Sequence, residues 1–108
     1  MYSVEDILQR SISRNEIVVG FMDAMELIHI CEQRAVRVLG WEGWLVYPNG
    51  TRTHSLRHQG TADLSSMPLA STHALTRATI MQAHTEWEAL PESPNADLYF
   101  CITLGSNL

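Results

Sequence analysis

Pro48-Asn49-Gly50 separates two stretches that both read as strand, and this tripeptide constrains the fold more than any other segment. Asn-Gly supplies the positive φ that tight hairpin turns require, so the flanking runs are expected to fold back antiparallel. Residues 37–47 are rich in Val, Leu, Trp and Tyr. One parity holds Leu39, Trp41, Leu45 and Tyr47; the other holds Val38, Gly40, Glu42, Trp44 and Val46. A strand with large apolar groups on both parities belongs inside a sheet. Residues 51–56 form the return strand.

Helical spacing dominates the flanks. Ser3 is positioned as an N-cap, with Asp6 reaching back as a weak capping box, and Val4, Ile7, Leu8 and Ile12 share one face. Residues 17–20 are apolar but too short to type. From Phe21 to about Ala35 the residues Phe21, Ala24, Leu27, Ile28, Cys31 and Ala35 gather on one side, opposite Asp23, Glu26, His29 and Gln33. After a polar stretch over 58–68, Ser71 is read as the cap of a third helix reaching about Ala89. This helix carries two apolar stripes, Ala74-Ala78-Met81 and Ile80-Ala83-Trp87, as if it contacts two things. Pro91 and Pro94 end it, and 97–104 alternates with a period of two as a last strand, followed by a tail over 105–108. The order α-α-β-β-α-β predicts a single α+β domain, an antiparallel sheet of three to four strands packed on two to three helices.

Charge narrows the partners. Twelve acidic residues face seven basic ones, all Arg, for a net charge of −5. Such a surface repels phosphate backbones and anionic membranes and favours basic partners. No run reaches the roughly 18 apolar residues of a membrane span, and positions 1–20 lack the pattern of a secretory signal. The expectation is a soluble cytoplasmic protein with neither nucleic acid nor membrane as partner.

The chain offers no motif for chemistry. Cys31 and Cys101 sit inside apolar patterns and read as buried thiols. His54 and His58 are spaced i, i+4, but on a strand that separation is about 13 Å, too far to share an ion. His73 and His84 stand near opposite ends of the third helix, and His29 on the solvent side of the second. There is no HExxH, GxSxG, GxGxxG or GxxxxGK[ST], and Glu86 and Glu88 point to different sides of their helix. We therefore expect no catalytic residues, no metal and no cofactor.

The segment Gly40-Trp41-Glu42-Gly43-Trp44 stands apart. Trp41 and Trp44 have opposite parity, so one at most fills the main core, and the residues do not say which. A charge between two indoles is hard to explain by packing, whereas Trp is enriched at binding hot spots.

Gly40-Trp41-Glu42-Gly43-Trp44-Leu45, then Pro48-Asn49-Gly50, Thr61-Ala62-Asp63-Leu64, Glu86-Trp87 and Leu98-Tyr99-Phe100-Cys101-Ile102, resembles a family of bacterial immunity proteins with a WEGW-type motif. These accompany polymorphic and contact-dependent growth-inhibition toxins. The resemblance spans roughly 20–104 and implies an intracellular, non-catalytic protein that binds one cognate toxin domain, often a basic nuclease, and blocks its active site. The toxin-facing candidates are Glu42, Trp44, Asp63, Asp23, Glu26 and Trp87, with Ile80 beside Trp87 on the two-striped helix. Two other readings stay open: a homodimeric or regulatory interaction module, motivated by that helix, and a small enzyme or ligand binder whose site assembles only in space.

Overall fold

The computed structural model describes residues 3–59 and 64–108, with the side chains of 56–59 outside that description. Asp63 and the rest of 60–63 lie outside the described residues. Among the described residues three α-helices and four strands follow one another as α1 (Val4–Arg10), β1 (Ile17–Val19), α2 (Phe21–Arg34), β2 (Val38–Val46), β3 (Arg52–Gln59), α3 (Leu69–Glu88) and β4 (Asp97–Leu104), with a 3-10 turn (Ser93–Asn95) before β4. All pairings are antiparallel, in the order β1-β4-β2-β3. The α+β architecture matches the sequence expectation except for β1. Its three residues are too few to show a period, and only pairing with Phe100–Ile102 makes them a strand.

Local chemistry accounts for the ends of most elements. Ser3 and Asp6 form the reciprocal capping box that opens α1. That helix stops at Arg10, so Ile12 is not part of it, and Leu8 faces solvent while Val4 and Ile7 are buried. α2 closes in a Schellman arrangement, with the Val36 N–H on the Cys31 carbonyl and the Ala35 N–H on that of Glu32. Ala35 thereby adopts a left-handed φ of 53°, outside the helix and exposed rather than on its apolar side. At the hairpin the Tyr47 carbonyl accepts from Gly50 N–H, and Tyr47 N–H donates to Thr51 O. Gly50 takes φ +89°, the left-handed position of a three-residue turn.

α3 departs from expectation in two ways. Its N-cap is Pro68, whose carbonyl receives the Ser71 and Thr72 N–H groups, so Ser71 sits inside the first turn. Its stripes also divide differently. Ile80, Ala83 and Trp87 are buried in the core, whereas Ala74, Ala78 and Met81 face solvent. The helix does contact more than one element, namely α2, β2 and β4.

The helices cover one face of the sheet. Val19, Trp41, Leu98, Phe100 and Ile102 meet Leu27, Ile28, Ile80 and Trp87 there. The register slips between Val38 and Gly40, which turns Val38 into the core against its original parity. Arg77 pairs with Glu32 to tie α3 to α2, and its guanidinium holds the Glu32 carboxyl below the usual range. Even the segment after β4 is tied down, with Gly105 N–H on the Arg37 carbonyl and Leu108 packed against the core. No described helix is long and apolar enough to cross a membrane.

Candidate functional site on the uncovered sheet face

Among the described residues no helix packs on the opposite face, and two cross-strand rows organise it. Pairing register sets Trp44 between His54 on β3 and Tyr99 on β4. The adjacent row runs from Glu42 on β2 through Cys101 on β4 to Val18 on β1. Residues two apart on a strand share a face about 7 Å apart, so Glu42 and Trp44 are neighbours by construction. The Trp44 indole N–H donates to Glu42 Oε1 at 3.3 Å, and His54 Nδ1 lies 3.3 Å from Glu42 Oε2. The Trp44 and His54 rings are 5.2 Å apart at 46°. The carboxylate is thus positioned by an indole and an imidazole while its side chain stays 37% exposed and that of His54 59%.

The β1 side of this face is covered by the segment after α1. Ser11 Oγ accepts from Val18 N–H and donates to the Glu16 carbonyl, and Ile12 N–H donates to Val18 O. Arg52 reaches from β3 to the Ile12 carbonyl at 2.7 Å. Val18 and Cys101 are buried there. What remains open is the part bearing Glu42, Trp44, His54 and Tyr99.

Of the six expected toxin-facing residues, Asp63 lies outside the described residues and three of the other five are set apart. Glu42 and Trp44 stand together on the uncovered face. Asp23 is held by Arg10 through two hydrogen bonds of 2.7 and 2.9 Å, with its side chain 12% exposed; it joins α1 to α2 rather than offering a free charge. Glu26 is half-buried in the same helix, on the other side of the sheet from Glu42. Trp87 is 7% exposed and its indole N–H is taken by the Ala96 carbonyl at 3.2 Å, so it is a core residue, as is its neighbour Ile80. Helical spacing showed that the Ile80-Ala83-Trp87 stripe is apolar, not that it is the stripe facing inward.

Sequence reasoning missed the partners of Glu42. It pairs His54 with His58, or sets it beside an unnamed acid in a small-enzyme site, and reads Tyr99 as a strand residue. Parity places both on the right kind of face, but their meeting with Trp44 depends on register. Glu16 was missed as well, because it falls in the break between the first two helices.

Glu16, Glu42 and Cys101 bring two carboxylate oxygens and a sulfur within 4.8 Å of one another. The Cys101 thiol hydrogen-bonds Glu16, and burial together with the two carboxylates pushes its pKa up to about 12. Cys31, buried in α2, is pushed to about 11 by burial. The free Cys101 thiol is therefore protonated at neutral pH. His54 beside Glu42 forms an imidazole–carboxylate pair, but with no hydroxyl or ionised thiol on it among the described residues. His73 is buried with Nε2 on the Val36 carbonyl at 2.7 Å, a structural contact. What the uncovered face presents is a fixed carboxylate in an aromatic setting on a protein of net charge −5. No protein-family model matches this chain, and no curated protein or solved structure matches it.

Proposed function

We propose that this protein is a toxin-neutralising immunity protein that docks a basic toxin domain on the uncovered sheet face. One observation carries the reading: Glu42, partly exposed, is held between the Trp44 indole and the His54 imidazole on a face that no described helix covers. A carboxylate already fixed by two partners loses little side-chain entropy on binding, and an adjacent half-buried Trp supplies apolar contact area. The chain's acidity favours encounter with a cationic surface. The resemblance of the Trp41-Glu42-Gly43-Trp44 region to immunity proteins supplies the biological class. Neutralisation then follows from occlusion: carboxylates occupy a basic cleft where a phosphate otherwise sits.

Capture of the tagged protein's partners in its source bacterium tests this. The expected result is one stoichiometric basic domain whose association slows as salt rises. Glu42→Lys is expected to weaken capture at least tenfold while leaving thermal unfolding within a few degrees of the parent. Recovery of the protein alone, as a dimer of itself, overturns the reading in favour of a homomeric module. Capture of a basic partner that ignores Glu42→Lys moves the interface away from this face.

A further inference from the structure

Strand register brings three metal-ligating side chains to one point on the uncovered face. Glu42 of β2 lies directly opposite Cys101 of β4, and Cys101 directly opposite Val18 of β1. Cross-strand partners share a face, so the Cys101 side chain turns away from the helices and toward Glu42. Glu16 comes from just before β1, two residues from Val18, and completes the group. One oxygen of each carboxylate and the Cys101 sulfur all lie within 4.8 Å of one another. A tetrahedral zinc ion bound by one sulfur and two oxygens sets those atoms roughly 3.3–3.6 Å apart. Rotation of the two glutamate side chains, one exposed and one partly exposed, closes the difference with the backbone in place.

Features outside the triplet's own contacts point to a cation. Cys101 is 3% exposed yet stands outside the apolar core between sheet and helices, with its sulfur close to both carboxylates. Among the described residues neither Glu16 nor Glu42 has an arginine within ion-pair distance; only the His54 ring stands beside Glu42. Two like charges held this close repel, and a divalent ion between them removes the repulsion. Glu42 is also oriented by groups that are not part of the triplet, Trp44 N–H on Oε1 and His54 Nδ1 near Oε2. Such outer hydrogen bonds are what fix a metal-bound carboxylate in place. Glu16 and Cys101 line an open cleft of about 1150 Å³ along α1, the turn after it and the end of β4, which gives an ion a way in.

We propose that Glu16, Glu42 and Cys101 form a zinc site, with the fourth position left to water. The sulfur selects zinc over magnesium or calcium, which take shells of oxygen. On binding, the thiol proton leaves to solvent and the sulfur coordinates as thiolate, with no electron transferred. The site does not rest on the toxin reading, although both use Glu42.

Calorimetric titration of the reduced, untagged protein with zinc tests the site, with cobalt as a spectroscopic stand-in. One ion per chain is expected, with micromolar or tighter affinity and a thiolate-to-cobalt charge-transfer band. The band should vanish in Cys101→Ser and persist in Cys31→Ser. Glu16→Gln, at an exposed position, should weaken zinc binding at least about tenfold with metal-free melting unchanged. Trp44→Phe, which removes the N–H that orients Glu42, should weaken it about tenfold. Zinc should raise the melting temperature of the parent, and a chelator should restore it. No saturable binding, a band that persists in Cys101→Ser, or an equal response to magnesium overturns the proposal. So does a Glu16→Gln protein that binds zinc as tightly as the parent, and this comparison decides alone if Cys101→Ser does not fold.

Discussion

Trp41 and Trp44 stand on the same strand, three residues apart, and face opposite sides of the sheet. Trp41 is 7% exposed, sets its ring edge against Phe100 at 5.4 Å, and donates its N–H to Thr79 Oγ1 of α3 at 2.8 Å. Trp44 is half-buried and donates to Glu42. One indole holds a helix to the sheet; the other holds a carboxylate in place. The residue type is the same, and what covers each face decides whether the ring stabilises the fold or shapes a surface.

The largest test of that contrast is to remove each ring. Trp41→Ala is expected to cost about 3–5 kcal/mol in urea unfolding, the range for a truncated core aromatic. Trp44→Ala is expected to cost about 1 kcal/mol or less, as for other changes away from the core. Equal losses would mean that the uncovered face is as much a core as the covered one.

The two thiols sharpen the same comparison, because Cys31 lies in the helix layer and Cys101 on the other face. Both have folded-state pKa values raised, to about 11 and about 12, above the ordinary 9.0. Their neutral forms therefore stabilise the fold fully below pH 9, and that contribution is lost as pH rises through 11 and 12. Denaturation midpoints measured along this ramp should fall in the parent and fall less in Cys101→Ser. A thiol reagent at pH 8 should label neither residue until the protein unfolds; rapid native labelling of Cys101 would show that the Ser11–Glu16 segment does not cover it.

Smaller effects are expected at the two left-handed residues, one in each region. Gly50 closes the hairpin that carries His54, and Gly50→Ala should cost about 1 kcal/mol. Ala35 ends α2 in the same conformation with a Cβ, so Ala35→Gly should gain up to about 1 kcal/mol. Opposite signs at the two sites in one thermal-melt series would confirm the geometry. A loss at both would mean that Ala35 does not hold its left-handed φ in solution.

Local pattern carried far into this fold. The Ser3–Asp6 box, the buried side of α2, the hairpin and the alternation of 97–104 were all readable, because each depends on residues a few positions apart. Less of the candidate site was readable. Glu42 and Trp44 stood out as residue types, but His54 and Tyr99 join them only through strand register, and Asp23 is paired with Arg10 across two helices.

The sequence by itself determined the longer helices and strands, which stripes are apolar, and the acidic net charge. Only the tertiary structure decided which face of β2 the helices cover, that the slip at Leu39 turns Val38 inward, and that Ile80 and Trp87 lie on the inner stripe of α3. Periodicity is set by backbone geometry within one element, whereas the choice between two apolar faces is made by burying the greatest shared area among elements distant in sequence.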